Sequence, residues 1–471
     1  MSTTMQDRAA GRAWAVLAVL GGAVFLEGID IAMINVALPS IRADLGLSTG
    51  MLSGVVSAYV LGYGGFMLLG GRAADLLGRR RTFVFWLGVF VAFSGLGGLA
   101  AEGWMLLIAR FVTGVASAFM APAGLALLTA AFPEGPLRTK ALGVYAGLAA
   151  GGFSLGVVAG GLLAGLGWRW VFFGPVVLAS LILIGAVTLL PAEPRVPRTG
   201  RFDLPGAFTI TGAMLALVYG IVRLEHPERG PALTAALLVL GPALLVLFAA
   251  IERRSPQPLV RPGILRSARL VRTDAAAMLF LASFAGFQFL ATLYLQEVRG
   301  WTPLQTGLAL LVAGIDTVLA PTLTPRLVGR FGNLRVLFGG TLLAVAAYAL
   351  FLPVGIDTAY AAMFPTMLLI GLAFALAYGP LTMAATEGVA EDEQGLAGGL
   401  LYTSMQFGTA LGLSAATAVV VAAGGGLTGV RTALLVPIAT ALLGAAAVAT
   451  GLRRRPAPES AAAPETQPIG A

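Results

Sequence analysis

Long apolar stretches alternate with short polar segments along the whole chain of 471 residues. About 20 mostly apolar residues are enough to cross a lipid bilayer as a helix. We therefore predict an all-α integral membrane protein with fourteen spanning helices. Their predicted limits are 14–37, 50–70, 82–100, 105–131, 141–165, 169–190, 205–222, 232–250, 273–296, 303–325, 334–354, 358–386, 394–423 and 427–451.

The basic residues are distributed unevenly among the segments that separate these stretches. Lys and Arg collect in the cytoplasmic loops of membrane proteins. If the N-terminus is cytoplasmic, most of the 30 Lys and Arg residues fall in cytoplasmic segments. The outer segments then contain only Arg42, Arg169, Arg223, Arg229, Arg299 and Arg431. We predict a multi-pass protein of the cell membrane with both termini in the cytoplasm.

The composition excludes several kinds of chemistry. The chain has no Cys, and His226 is its single histidine, which excludes Cys-ligated and multi-His metal sites. Lys140 is the single lysine and is followed by Ala141, so the phosphate-binding loop of ATPases is absent. Basic cytoplasmic loops account for the net charge of +8, and we expect no nucleic-acid partner. We predict no enzymatic activity and no cofactor, and we do not expect ATP hydrolysis within this chain to drive any uphill movement.

Two loops at equivalent places in the chain resemble each other. The segment 71–81 follows the second predicted span, and the segment 325–335 follows the tenth. Their identical positions are Arg72 with Arg326, Gly78 with Gly332, and Arg81 with Arg335. Such internal repeats are typical of transporters built from two related halves. We predict an N-terminal six-helix half over 1–190, two extra central helices with a cytoplasmic linker over 191–272, a C-terminal six-helix half over 273–452, and a disordered cytoplasmic tail over 453–471.

Four sequence motifs make the chain resemble the major facilitator superfamily, in its branch of fourteen-span drug–proton antiporters. The loop motif is represented by Gly71, Asp75, Gly78, Arg79, Arg80 and Arg81. The segment 30–39 fits the first-span signature D-x-x-x-x-N-V-A-L-P, and the segment 110–114 fits the fourth-span motif R-x-x-x-G. The fifth-span antiporter motif is represented by Gly152, Gly156, Gly160 and Gly161, with Val157 in place of the usual proline.

The resemblance implies a function as well as a fold. It implies a proton-coupled secondary exporter of hydrophobic drugs or antibiotic-like natural products, which confers resistance and functions as a monomer. The loop motif would form a charge clamp between helices that holds one conformation. A proton-coupled transporter of one specific metabolite is an alternative, and a membrane-embedded enzyme or a channel is a more remote one.

Ionisable residues inside the predicted spans are candidates for proton coupling, because a charge at that depth is costly. They are Glu27, Asp30, Arg110 and Asp316. Glu27 and Asp30 are three residues apart and so share one helix face. Burial and mutual repulsion both favour the protonated form of a carboxyl group. Arg110 is the expected partner of Asp30, and Asp316 could also select cationic substrates. Purely structural roles for these residues remain alternatives.

Polar and aromatic residues within the spans are candidates for a central cavity that binds a small hydrophobic or cationic substrate. They are Asn35, Gln288, Tyr294, Gln296, Tyr402 and Gln406. Packing against lipid or within the protein core is the alternative for each. The glycines of span 5 recur every four residues, which predicts a helix face that a neighbouring helix can approach closely.

Overall fold

The computed structural model describes residues 2–132, 136–191, 203–223, 230–255, 258, 267–387 and 394–452, and these residues form helices and their connections without a strand. The predicted tail, 453–471, and part of the predicted linker lie outside these ranges. The helices are α1 (Ser2–Leu45), α2 (Thr49–Leu77), α3 (Arg79–Gly98), α4 (Gly103–Ala131), α5 (Pro136–Leu166), α6 (Trp170–Leu189), α7 (Leu204–Val222), α8 (Pro231–Glu252), α9 (Ala268–Leu293), α10 (Pro303–Leu311), α11 (Asp316–Thr322), α12 (Thr324–Phe331), α13 (Asn333–Phe351), α14 (Tyr360–Thr386), α15 (Gln394–Ala422), α16 (Gly426–Ala433) and α17 (Leu435–Leu452).

Thirteen helical segments in the described part of the chain are long and apolar enough to cross a membrane. Three of them are assembled from consecutive pieces: α9 continues into a π-helical turn, Tyr294–Val298; α10 continues through a 3-10 turn, Val312–Ile315, into α11; and α16 continues into α17. The seventh predicted span coincides with α7, but its described apolar stretch, Pro205–Leu217, is shorter. The protein is therefore a multi-pass helical membrane protein, and the count of fourteen spans stays a prediction.

The helices pair in the same order in two parts of the chain. In the first part, α1 packs against α5 and α6, while α3 packs against α4 and α6. In the second part, α9 packs against α15 and α17, while α13 packs against α14 and α17. We call α1–α6 the first group and α9–α17 the second group. The groups meet along two seams, one between α2 and α15 and one between α5 and α10.

Glycine allows α1 and α5 to approach until their backbones touch. A Cβ atom on Gly156 would lie 2.8 Å from the Cα atom of Ile29, and one on Gly160 would lie 2.7 Å from the Cα atom of Met33. Such distances leave no room for a side chain, as in other close helix pairs of membrane proteins. Gly412 of α15 approaches the backbone of α9 in the same way. Of the glycines predicted from the spacing in span 5, those at 152, 156 and 160 form a close contact surface, whereas nothing lies within 4 Å of a Cβ atom at 147 or 151.

Helices α7 and α8 form an antiparallel pair outside the two groups. Gly206, at the start of α7, lies beside the Glu252 side chain at the end of α8. Gly220, near the end of α7, lies beside Leu238 in the first half of α8. Helix α7 contacts both α2 and α15. The α7–α8 pair therefore lies along the α2–α15 seam.

The two ends of the helical bundle carry different loops. We call the end with Gly78 and Gly332 the terminal face, and the end with the loops 46–48, 167–169 and 299–302 the opposite face. Gly78 and Gly332 connect consecutive helices with φ values of 105° and 85°. Residues other than glycine rarely adopt such positive φ values. The aligned glycines of the internal repeat therefore have the same backbone role in both groups.

We predict that Gly156→Ala destabilises the fold, whereas Gly151→Ala on the same helix does not. A Cβ atom at position 156 overlaps α1, but nothing lies within 4 Å of one at position 151. Overpacking costs about 1–3 kcal/mol, and alanine favours a helix more than glycine does. The melting temperature in detergent, measured by size-exclusion chromatography after heating, should fall for the first variant and stay or rise for the second. Equal melting temperatures would contradict the tight α1–α5 contact.

Candidate functional site

A buried ion pair lies within the first group, between α1 and α4. Arg110 Nη1 donates a hydrogen bond of 2.6 Å to Asp30 Oδ2. Asp30 is 1% exposed and Arg110 is 2% exposed. The Arg110 guanidinium carbon also lies 4.4 Å from the centre of the Tyr59 ring, and the Tyr59 hydroxyl donates a hydrogen bond of 2.9 Å to Ser117. The ion pair and the cation–π contact together offset the cost of burying the charges.

The R-x-x-x-G motif of α4 explains how Tyr59 reaches Arg110. Gly114 is one turn after Arg110 and therefore lies on the same helix face. The backbone of Tyr59 contacts Gly114 where any larger residue would have its Cβ atom. This close approach of α2 brings the Tyr59 ring over the guanidinium group. The motif therefore provides both the buried cation and the space for its aromatic partner.

Glu27, the second carboxylate of α1, has different surroundings. It is 7% exposed, and its Oε2 atom accepts a hydrogen bond of 3.4 Å from the Tyr63 hydroxyl. Tyr145 of α5 lies near both Glu27 and Tyr402 of α15. Among the described residues, no basic side chain forms an ion pair with Glu27. Since buried charges require a partner, this carboxyl group can take up a proton or the cationic group of a ligand.

Aromatic side chains extend from this region across the interface of the two groups. Ring centres are 6.3 Å apart for Phe153 of α5 and Phe284 of α9, and 4.7 Å apart for Phe284 and Phe374 of α14. Tyr378 stacks on Phe374, with their ring centres 5.2 Å apart, and lies close to Tyr402. All five are half-buried. We call them the aromatic wall, and only Tyr402 was predicted from the sequence.

Three of the other predicted cavity residues have different surroundings. Gln406 follows Tyr402 by one turn and lies in the α2–α15 seam beside Gly64. Asn35 is half-buried and donates a hydrogen bond of 3.0 Å to the Ile31 carbonyl of its own helix. Gln288 is buried in α9. Gln406 therefore lies between the two groups, whereas the hydrogen bond of Asn35 stays within α1.

The structure does not bring Tyr294 and Gln296 to the aromatic wall. Both belong to a π-helical turn, Tyr294–Val298, which directly follows α9. Tyr294 is fully buried and its hydroxyl donates a hydrogen bond of 2.6 Å to the Gly355 carbonyl. Gln296 Nε2 donates a hydrogen bond of 2.8 Å to the Val36 carbonyl of α1. These two residues therefore make connections near the opposite face.

Asp316 lies at the interruption of the tenth span. It is the first residue of α11, immediately after the 3-10 turn, and it is half-buried. The hydroxyl of the next residue, Thr317, lies 2.9 Å from the hydroxyl of Ser154 on α5. Asp316 thus borders the α5–α10 seam and lies in the second group, whereas the Asp30–Arg110 pair lies in the first.

The α5–α10 seam is closed toward the opposite face and open toward the terminal face. A Cβ atom on Gly161 would lie 2.8 Å from the backbone of α10, and one on Gly307 would lie 2.7 Å from the Val157 carbonyl oxygen. Gly151 and Gly147 lie on the same side of α5 but closer to the terminal face, and nothing lies within 4 Å of a Cβ atom there. Of the predicted antiporter motif, Gly161 therefore contacts the other group.

The arginines of the loop motif are placed at helix ends. Arg79 Nη1 donates a hydrogen bond of 3.3 Å to the Ala126 carbonyl in α4, and Arg80 Nη2 donates one of 2.7 Å to the Val187 carbonyl at the end of α6. Positive charge near the C-terminal end of a helix is stabilising. The side chain of Asp75 lies outside the described part of the structure, so its place in a charge clamp stays a prediction.

Comparison with known proteins gives named relatives from actinobacteria. A puromycin resistance protein of Streptomyces alboniger is 38% identical over 411 residues, which cover 86% of this chain and 81% of that protein. A lincomycin resistance protein of Streptomyces lincolnensis is 34% identical and covers 85% and 83% of the two chains. A cephamycin export protein of Amycolatopsis lactamdurans is 35% identical and covers 83% and 81%.

A structural comparison and a family model place this chain in the same kind of protein as these relatives. A solved POT family transporter in complex with 5-aminolevulinic acid aligns over 93% of this chain and 95% of its own, with a TM-score of 0.70 and 15% identity, which shows a common fold. The family model of the Major Facilitator Superfamily matches residues 20–413. That match covers most of the chain, including α1 with Asp30 and α4 with Arg110, and the chain belongs to the Major Facilitator Superfamily.

Proposed function

We propose that this protein exports small antibiotic-like molecules in exchange for protons. The observation that carries this proposal is the similarity, over more than four fifths of both chains, to proteins named for resistance to puromycin and lincomycin or for export of cephamycin. The aromatic wall supports it, because half-buried rings offer an apolar surface to hydrophobic molecules. The proton gradient takes the place of a cofactor, and one chain contains both groups and functions as a monomer.

The Asp30–Arg110 pair supports coupling to protons. Protonation of Asp30 removes the negative charge that Arg110 faces at 2.6 Å. Removing one partner of a buried ion pair typically costs about 3–5 kcal/mol. A conformational change that gives Arg110 water or another partner recovers part of this energy. Proton binding at Asp30 therefore shifts the balance between conformations, which is what an antiporter requires.

Glu27 and its tyrosines support the recognition of cationic substrates. A carboxylate surrounded by aromatic rings attracts an organic ammonium group through both its charge and the electron-rich faces of the rings. The proton and the ammonium group compete for the same carboxylate. Glu27 therefore belongs to the substrate site and to the proton pathway, while Asp30 belongs to the proton pathway. Asp316 borders the α5–α10 seam from the second group and is a further acidic residue for either role.

The antiparallel α7–α8 pair supports the fourteen-span topology. Gly206 near the start of α7 lies beside Glu252 at the end of α8, and Gly220 near the end of α7 lies beside Leu238 in the first half of α8, so both helices extend between the same two faces. An even number of spans places both termini at the terminal face. The basic loops at that face make it cytoplasmic in a cell membrane. The opening of the α5–α10 seam then faces the cytoplasm, from which an exporter takes its substrate.

We expect reporters fused after Ala471 to show that the C-terminus is cytoplasmic. Alkaline phosphatase folds outside the cytoplasm and green fluorescent protein folds inside, so paired fusions distinguish the two sides. Fluorescence without phosphatase activity is the expected result for fourteen spans. A matched fusion truncated after Gly230 should show the reverse pattern, because it ends before α8. Phosphatase activity of the full-length fusion would mean an odd number of spans.

We expect Asp30→Asn to abolish uphill export while substrate binding persists. Asparagine retains the shape and a hydrogen bond to Arg110 but cannot release a proton. In proteoliposomes with an imposed pH gradient, accumulation should fall roughly tenfold or more, because tenfold corresponds to only about 1.4 kcal/mol. Asp357→Asn, an exposed loop substitution, is the matched control and should keep full activity. An Asp30→Asn protein that still accumulates substrate against its gradient would place the coupling proton elsewhere.

We expect Glu27→Gln to weaken the binding of cationic substrates more than the binding of neutral ones. Without the carboxylate, the attraction for an ammonium group is lost, but the aromatic wall still binds neutral molecules. The affinity for a hydrophobic amine should fall about tenfold or more, and the affinity for a neutral molecule of the same size should change less than about threefold. Binding to purified protein, followed by tryptophan fluorescence, measures both. Equal losses for the two ligands would indicate a structural role for Glu27.

A further inference from the structure

We infer that Arg42, Gln296 and Glu297 form a latch that holds the two groups together at the opposite face and must break when that face opens. We call these three residues the opposite-face latch. The inference goes beyond the proposed function, since it concerns the order of movements and does not depend on which molecule is carried.

The latch consists of two direct bonds between the groups. Arg42 Nη1, in the last turn of α1, lies 2.9 Å from both carboxylate oxygens of Glu297 in the π-helical turn after α9. The adjacent Gln296 donates its hydrogen bond of 2.8 Å to the Val36 carbonyl, further along α1. The ion-paired side chains are 35% and 31% exposed, and Gln296 is half-buried. One polar bond at the surface and one below it thus join the same two helices.

The first group holds its part of the latch rigidly. Asp44 follows Arg42 by two residues on α1. Its Oδ2 atom accepts hydrogen bonds of 2.8 Å from Trp168 Nε1 and 2.8 Å from Arg169 Nη1, both in the loop before α6. The end of α1 is thereby attached to the start of α6 within the same group. When the first group moves, Arg42 moves with it.

The second group holds the other part in the same manner. The Tyr294 hydroxyl bonds to the Gly355 carbonyl, and Arg299 bonds to the Thr358 carbonyl, so both ends of the π-helical turn are attached to the loop between α13 and α14. A π-helical turn contains one residue more than an α-helical turn and often marks a functional site. Here the turn places Gln296 and Glu297 toward α1. Both sides of the latch are therefore fixed parts of their own groups.

The energy of this arrangement suits a contact that breaks and re-forms. An exposed ion pair contributes little stability, because water and ions screen it. The buried contacts of Gly161 and Gly307, in the α5–α10 seam, involve no charged group. The latch therefore adds a small, salt-sensitive preference for the closed opposite face. Weakening it should shift the population toward the open form without unfolding either group.

The test uses a cysteine introduced at Val157, because the natural chain contains none. Val157 is 3% exposed, and its carbonyl faces Gly307 across the closed part of the seam. Opening of the opposite face exposes this position. The rate of reaction with a charged maleimide is measured on the purified full-length Val157→Cys protein in detergent. Glu297→Gln should raise this rate about two- to fivefold, and adding Gln296→Ala should raise it further.

Charge reversal and a matched control separate a latch from general loosening. The swapped pair Arg42→Glu with Glu297→Arg should return the rate toward that of the parent. Arg269→Gln should leave it unchanged, because it removes an ion pair with Glu387 of comparable exposure within the second group, at the terminal face. Salt at 1 M shortens the screening length to about 3 Å. It should therefore accelerate labelling of the parent but not of Glu297→Gln.

Three results would overturn the inference. Glu297→Gln could label at the parental rate, which would mean that the pair does not restrain opening. Arg269→Gln could accelerate labelling as much as Glu297→Gln, which would mean that any lost ion pair loosens the protein. The swapped pair could label as fast as the single variant, which would mean that the attraction between the charges is not what closes the face. Melting temperatures of all variants show that folding is retained.

Discussion

The apolar interior can hold the Asp30–Arg110 ion pair only if the surrounding helices pack closely around it. Two full charges away from water are tolerated when they touch each other and when further polar or aromatic groups surround them. Gly114 lets α2 bring Tyr59 over the guanidinium group, and Gly156 lets α5 press against α1 behind Asp30. The glycines of two separate motifs thus serve one requirement, which is a closed shell around one ion pair.

The sequence predicted the features that local composition determines. Apolar stretches of sufficient length predicted the spans, and ionisable residues within them predicted that Asp30 and Arg110 would meet. The aromatic wall was not predictable beyond Tyr402, because a phenylalanine in a span looks the same whether it faces lipid, core or cavity. Tyr294 and Gln296 lie away from that wall in a π-helical turn, and the sequence does not show such a turn because it depends on contacts with another loop.

The two groups share their helix pairing but differ in chemistry. Asn333 occupies the position equivalent to Arg79, and its side chain donates to the Pro380 carbonyl of α14, just as Arg79 donates to α4. The repeat therefore preserves a backbone contact while changing the residue. The first group contains the ion pair, whereas the second contributes most of the aromatic wall. Duplicated packing has been retained, and the polar interior has diverged.

The position of the α7–α8 pair also determines how the interior meets the surrounding lipid. Because α7 contacts both α2 and α15, it covers the seam between these helices on its outer side. Thr211 of α7 fixes this cover with a hydrogen bond of 2.7 Å to the Gly65 carbonyl. The α5–α10 seam has no such cover among the described helices. Apolar molecules beside the bundle therefore meet α5 and α10 directly, whereas α7 stands between them and the α2–α15 seam.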